Sequence, residues 1–176
     1  QGIHHIDVLR YLFGEIKNVN CNMKTLGAKI EVEDTAMALM EFENGAVGTL
    51  EITTAARPKD YEASISVIGS KGLAQIGGLA INKLEVFSPK PLETKKFSEN
   101  IPVAYGFGHF DLYKDVALDL NRIKKFPVAF EDCYKTIQFL NSFYSSNEKK
   151  KTLNVKKVVD SRMLGKKNEK ISRLYR

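Results

Sequence analysis

The strongest constraint on the fold is a turn signal at Asn44-Gly45. It separates two strand-like runs, residues 35–42 (TAMALMEF) and residues 46–53 (AVGTLEIT). Because Asn and Gly tolerate the positive φ angles of a tight two-residue turn, the pair predicts an antiparallel hairpin. Further runs with strand-like patterns of apolar residues predict β-strands at residues 19–23, 61–68, 73–76 and 83–88.

Helical patterns lie on both sides of these strands. Apolar residues spaced by about 3.6 predict a helix over residues 3–13, ending at Gly14. Two more helices are predicted over about residues 110–125 and 131–146, and Pro127 breaks the first of them. Strands segregated from helices predict an α+β fold, with an open, mainly antiparallel β-sheet and helices on one face.

Apolar side chains occur on both faces of the predicted sheet. Met37, Leu39 and Phe42 do not all point to the same side of a strand. The helices account for one buried face, so the other face is expected to meet a partner. We therefore predict a homo-dimer or tetramer formed through the sheet face.

The charge is unevenly distributed along the 176 residues. Residues 148–176 hold 11 Lys and Arg against 3 Asp and Glu, a net charge of +8, and residues 1–147 hold 16 against 18, a net charge of −2. We expect one substrate-binding and oligomerisation domain over 1–155 and a basic C-terminal tail over 156–176. Nucleic-acid binding through this tail is the weaker alternative, because no aromatic residues interleave with the basic ones.

Other sequence features limit the class of protein. No apolar run approaches the ~20 residues that cross a bilayer, so no membrane partner is expected. Two cysteines, Cys21 and Cys133, are too few for a disulfide scaffold, which favours the cytoplasm. The chain starts at once with a helical pattern and has no initiator Met, so we expect it to be a piece of a longer protein.

The first candidate site is His4 with Asp7. These residues share one face of the predicted first helix, so the carboxylate can orient the imidazole. A structural histidine on a half-apolar helix is the alternative. No metal site is expected, because His5 points about 100° away from His4 and no further cluster of ligands lies nearby.

Two further candidates would bind substrate. His109 and Tyr113 are one turn apart where a glycine-flanked loop enters a helix, whose unpaired N–H groups can hold a phosphate or carboxylate. The alternative is a helix cap with a core tyrosine. Arg57 suits bidentate binding of an anion, with Asn82 downstream of it, although a surface arginine in a loop is the alternative. Nothing in the sequence forms a dinucleotide-binding fingerprint.

Several stretches carry a family resemblance. QGIHHIDVLRYLFGEI, EDTAMALMEFENGAVGTLEI and FYSSNEKKKTLNV are similar to the C-terminal domain of Gfo/Idh/MocA oxidoreductases, and the resemblance covers roughly residues 1–155. ARPKDYEASISVIGSKGLAQIGGLAINKLEVF and GHFDLYKD resemble the branch that oxidises UDP-linked N-acetylamino sugars or their uronic acids at C3. One departure is Asn147-Glu148-Lys149, where the family has a small glycine-containing turn, so the last strand is expected to be displaced.

The resemblance implies the substrate half of an NAD(P)-dependent sugar dehydrogenase. NAD or NADP would be bound by an N-terminal Rossmann domain outside this sequence, so the fragment alone is expected to be inactive. The family's catalytic histidine falls on His4 and its following aspartate on Asp7, within G-x-H-x-x-D. A sugar or nucleotide-sugar would be held by the four substrate-binding candidates Arg57, Asn82, His109 and Tyr113. The alternative is a non-catalytic module for sheet-mediated oligomerisation or ligand binding.

Overall fold

The computed structural model divides the chain into two compact units, one formed by Gln1–Ala55 with Val128–Arg176 and the other by Ala56–Pro127. The structure describes residues 2–58, 61–103, 105–157, 161–162 and 169–173. The helices are α1 (Ile3–Phe13), α2 (Gly108–Leu120), α3 (Phe130–Lys149) and the short α4 (Glu169–Ser172). The strands are β1 (Ile16–Lys24), β2 (Thr35–Phe42), β3 (Val47–Thr53), β4 (Ile65–Gly69), β5 (Gly72–Gly77), β6 (Lys83–Phe87) and β7 (Leu153–Asn154).

The first unit contains a four-stranded antiparallel sheet. Its strand order is β3-β2-β1-β7, and the register pairs Val19 with Met40 and Ala38 with Leu50. The predicted hairpin joins β2 to β3, and Gly45 adopts a φ of 86°, which is costly for other residues. The hairpin is therefore confirmed in position. Its turn differs from the predicted two-residue turn, because Gly45 but not Asn44 has a positive φ and the Phe42 N–H donates to the Ala46 carbonyl, which leaves three residues in the loop.

Helices α1 and α3 cover one face of this sheet. The buried apolar side chains of the unit include Ile6, Leu9, Ile16, Val19, Cys21, Ala38, Met40, Phe42, Phe139, Phe143 and Val155. Ala38, Met40 and Phe42 alternate along β2 with Met37 and Leu39, which are more than half exposed. In the described part of the first unit, the helices cover one face of the sheet, and a partner on the other face remains a prediction.

The end of α3 shows how the departure from the family pattern is accommodated. The helix runs through Asn147-Glu148-Lys149, and Lys150 adopts the left-handed conformation with a φ of 52°. The chain then reverses its direction, and Leu153 pairs with Val19 at the edge of the sheet. The last strand thus forms without a glycine, although it contains only two residues.

The predicted tail begins close to the folded unit. Lys156 forms a salt bridge of 2.9 Å with Glu43, next to the buried Val155. Much of the predicted tail, residues 158–160, 163–168 and 174–176, lies outside the described residues. The boundary at residue 155 stays a prediction.

The second unit contains the three-stranded antiparallel sheet β4-β5-β6 and helix α2. The strand predicted from residue 61 begins only at Ile65. Helix α2 ends at Leu120, five residues before the predicted end, because Arg122 turns to a φ of 58°. The predicted strands thus fall into two sheets, one in each unit, where the sequence favours one sheet. The α+β class, with antiparallel pairing, is confirmed.

Candidate functional site

Helix α1 begins against strand β3. A Cβ atom at residue 2 would meet the tip of the Ile52 side chain, which would have to shift, so the helix starts close to the sheet. Two residues later His4 is exposed, and His5 beside it is half-buried. Burial and the neighbouring His4 lower the pKa of His5, which favours its neutral form. The glycine-histidine spacing therefore places the His4 imidazole at an accessible helix start.

The Asp7 carboxylate is fixed by helix α3. The Thr136 hydroxyl donates a hydrogen bond of 2.5 Å to Asp7 Oδ1, and Arg10 Nη1 lies 3.7 Å from the same oxygen. In the part of the chain that the structure describes, no hydrogen bond joins Asp7 to His4. The structure thus locates Asp7 one turn from His4, with its carboxylate anchored to the neighbouring helix. The catalytic roles of both residues remain predictions.

The Arg10 side chain connects α1 to α3. Its Nη1 donates to the Thr136 hydroxyl at 2.6 Å and to the Asp132 carbonyl at 3.1 Å, and its Nη2 donates to the Asp132 carboxylate. Burial opposes the charge, but the hydrogen bond to Asp132 and the nearby carboxylates, including Glu15, raise the pKa of Arg10 overall. The guanidinium stays charged although only 8% of Arg10 is exposed.

A cavity of about 270 Å³ opens beside the start of α1. It is lined by Gly2 and Ile3, by the polar side chains of Glu33 and Tyr144, and by Cys21. Tyr144 donates its hydroxyl hydrogen to Glu33, and burial together with this carboxylate raises the pKa of the tyrosine. The walls of the cavity are otherwise mainly apolar. The cavity lies at the same end of α1 as His4, which is not among its lining residues.

Two substrate-binding candidates lie on helix α2. His109 and Tyr113 are exposed on the same face of the helix, one turn apart. The His109 ring makes an edge contact with the Tyr105 ring, at a centroid distance of 5.9 Å. Both candidates are therefore accessible on the surface of the second unit, and their contact with a substrate is untested.

The other two candidates have local partners. Asn82 Nδ2 donates to the Glu99 carbonyl at 2.7 Å, and its Oδ1 accepts from the Ala80 N–H at 3.2 Å. Asn82 therefore holds a loop together, and ligand binding would have to use its remaining capacity. Arg57 is exposed and donates to the Ala56 carbonyl at 2.6 Å. His4 and Asp7 lie in the first unit and these four residues in the second.

Sequence reasoning missed the anchoring role of Thr136 and Asp132. They lie more than 120 residues from the α1 side chains that they contact. The spacing of Asp7 and Arg10 indicates a pair on one helix, but no nearby residue in the sequence indicates that both contact α3. No group of three metal-ligating side chains occurs among the described residues. Nor does any helix in those residues combine the length and apolar character that a membrane crossing requires.

Comparison with known proteins confirms the family resemblance. Residues 1–75 match the family described as GFO/IDH/MocA C-terminal domain. D-apiose dehydrogenase of Rhizobium rhizogenes is 30% identical over 78 residues, which are 43% of this chain and 23% of that protein. This chain thus spans about a quarter of the curated relative that it matches.

Solved structures share the fold over most of this chain. The WlbA dehydrogenase from Bordetella pertussis, in complex with NADH and UDP-GlcNAcA, is 26% identical with a TM-score of 0.75, and covers 88% of this chain and 46% of its own. The WlbA dehydrogenase from Chromobacterium violaceum, with the same ligands, is 29% identical with a TM-score of 0.76, covering 88% and 44%. Levoglucosan dehydrogenase, 22% identical with a TM-score of 0.70, has the same fold, covering 89% of this chain and 50% of its own. This chain therefore corresponds to about half of each of these proteins.

Proposed function

We propose that this chain is the substrate-binding and oligomerisation half of an NAD(P)-dependent oxidoreductase that oxidises a secondary hydroxyl of a sugar or nucleotide-sugar. The observation that carries the proposal is the shared fold with two WlbA dehydrogenases at 26% and 29% identity, both in complex with NADH and UDP-GlcNAcA. The family match of residues 1–75 and the accessible His4 support the same reaction class.

His4 is the proposed base or hydrogen-bond donor for the reacting hydroxyl. Imidazole can exchange a proton near neutral pH, and an exposed ring at a helix start can reach a bound sugar. Asp7 would support this end of α1 through its hydrogen bond from Thr136. Arg57, Asn82, His109 and Tyr113 are proposed to hold the sugar, carboxylate or phosphate groups of the substrate.

The oxidation also requires an acceptor for the hydride, which a nicotinamide cofactor supplies. The described strand pairs are all antiparallel, whereas dinucleotide sites of this kind are built on parallel β-α-β units. The described residues therefore do not form such a site. NAD or NADP is proposed to bind to a Rossmann domain of a longer protein, located in the cytoplasm, where free cysteines such as Cys21 and Cys133 stay reduced.

Turnover by the full-length protein tests this proposal. His4→Ala should lower the turnover number with a nucleotide-sugar by about 100-fold or more, because an acid–base group is lost. Tyr11→Ala is the matched control, since Tyr11 lies on α1 with 88% of its surface exposed. Equal turnover of His4→Ala and the unmodified enzyme would rule out the proposed role of His4.

A non-catalytic oligomerisation module is the second candidate function. It is favoured by the exposed face of the four-stranded sheet, where Met37, Leu39 and Val47 are 54%, 62% and 81% exposed. Cofactor binding by the full-length protein discriminates between the two. Saturable NADH or NADPH binding supports the enzyme, and an oligomer that binds neither supports the module.

A further inference from the structure

The cavity beside the start of α1 carries a negative charge that no cation of the described chain balances. Of the described residues that line its volume of about 270 Å³, only Glu33 has a side chain that is charged at neutral pH. Glu33 Oε1 accepts the hydrogen bond from the Tyr144 hydroxyl. In the part of the chain that the structure describes, no salt bridge joins Glu33 to a basic side chain, and its Oε2 has no hydrogen-bond partner. One carboxylate oxygen is therefore left for a donor from outside the chain.

The charge of Glu33 acts on two other side chains of the cavity wall. Burial first, and then the charge of Glu33, raises the pKa of Cys21 to about 12, and burial with the same carboxylate raises the pKa of Tyr144. Lys150 has the opposite effect on Cys21, but it donates to the Asn147 side chain and is not among the lining residues. A half-buried carboxylate loses part of its hydration, so a cation placed beside it would be stabilising.

The rest of the lining favours an apolar group. Half-buried hydrocarbon side chains from three elements contribute to it, namely Ile3 of α1, Leu50 and Ile52 of β3 and Leu140 of α3. Because these side chains keep part of their surface exposed, a ligand can contact them without displacing the core. An apolar cavity of roughly 150 Å³ holds a benzene ring, so this cavity has room for a phenyl ring with a short chain.

We propose that this cavity binds a small hydrophobic amine in its protonated form. The ammonium group would donate to Glu33 Oε2, and the hydrocarbon group would pack on Ile3, Leu50 and Ile52. A carboxylate of the same size would be repelled by Glu33, and a neutral alcohol would lack the charge-assisted hydrogen bond. The site is independent of the proposed dehydrogenase activity, because it uses neither His4 nor a cofactor.

Calorimetric titration of the full chain with phenethylamine, with phenethyl alcohol in parallel, tests the site. The two probes have nearly the same size and shape, but only the amine is charged at neutral pH. The amine should bind saturably and about tenfold more tightly than the alcohol, because hydrogen bonds to charged groups are the stronger ones.

Glu33→Gln tests the carboxylate itself. The variant keeps an oxygen that can accept from Tyr144 but removes the charge, so amine binding should weaken about tenfold and alcohol binding should change little. Glu51→Gln is the matched control, because Glu51 lies on β3 between the lining residues Leu50 and Ile52 and points to the opposite face of the sheet.

Nuclear magnetic resonance locates the bound amine. Methyl signals of Ile3, Leu50 and Ile52 should shift as the phenyl ring fills the cavity, whereas those of Leu12, near the other end of α1, should not. The two probes and these signals are measured on the unmodified chain, so the test stays decisive if Glu33→Gln does not fold.

Three results would overturn the site. One is the absence of saturable phenethylamine binding, or binding that leaves the methyl signals of the cavity unchanged. Another is alcohol binding as tight as amine binding, which would exclude a charged ligand. The third is equal weakening by Glu33→Gln and Glu51→Gln, which would indicate general charge attraction. Circular dichroism establishes that each variant is folded.

Discussion

A single carboxylate, Asp34, organises the loop between β1 and β2. Its oxygens accept hydrogen bonds from the backbone N–H groups of Leu26, Gly27 and Ala28, at 2.7–2.9 Å, and from the Thr35 hydroxyl. The hydrogen bond from Leu26 lowers the pKa of Asp34 most, and burial opposes it. With the hydrogen bonds from Gly27, Ala28 and Thr35, the pKa falls to about 2. The loop is thus held by the ionised form of one side chain.

Asp34→Asn should therefore destabilise the first unit in a pH-dependent way. Because the folded state lowers the pKa, the stabilisation by the charge is complete above the ordinary value of 3.8 and disappears as the pH falls toward 2. The difference in Tm between the unmodified chain and Asp34→Asn should be large at about pH 6 and shrink between about pH 4 and pH 2. Glu51→Gln, at an exposed position on β3, controls for a lost surface charge. A difference that stays constant across this range would contradict the role of the charge.

The two cysteines should differ sharply in reactivity. Cys21 is buried, and burial, with the charge of Glu33, raises the pKa of its thiol to about 12. Cys133 is exposed. Since the thiolate is the reactive form, an aromatic disulfide reagent near pH 8 should label one thiol quickly in the native chain and two after unfolding. Cys133→Ser should leave no rapidly reacting thiol, and fast labelling of that variant would be inconsistent with a buried Cys21.

At the scale of elements, Thr136 joins two helices that are distant in sequence. Its hydroxyl donates to Asp7 and accepts from Arg10, and only 4% of the residue is exposed. Thr136→Val keeps the shape but removes both hydrogen bonds, which should lower the free energy of unfolding by about 1–3 kcal/mol. Urea denaturation with an unchanged m value measures the loss. Thr136→Ser retains the hydroxyl and should lose less, whereas a Thr136→Val variant as stable as the unmodified chain would contradict the role of the hydroxyl.

Where the local sequence signal is strong, it predicts the residue at which a helix ends. Helix α1 ends where Gly14 adopts a φ of 83°, as its sequence predicts. Helix α2 ends early because Arg122 takes a left-handed conformation, which no sequence rule assigns to arginine. The α3 end at Lys150 is a similar case, with lysine in the left-handed conformation that glycine most often adopts at a helix end. Such positions depend on the packing around them.

For the whole molecule, the exposed sheet face offers the clearest test of assembly. If the face forms the proposed homo-oligomer, Leu39→Lys places a charge on it between Asn20 and Thr49 and should convert oligomer to monomer in light scattering. The change should cost little folding stability, because Leu39 is 62% exposed in the single chain. Tyr11→Lys, at an exposed position on α1, should leave the assembly intact. If the Leu39→Lys variant has the same oligomeric mass as the unmodified chain, any subunit contact lies elsewhere.

The sequence by itself determined the elements and their class, because turn chemistry and apolar periodicity act between residues close in the chain. The Asn44-Gly45 hairpin, helix α1 and the α+β class all follow from such local signals. Only the tertiary structure decided that the strands form two sheets and that Thr136 and Asp132 anchor Asp7 and Arg10. The contacts of Thr136 and Asp132 join residues more than 100 positions apart, and such partners are selected by packing geometry, which leaves no periodic trace in the sequence.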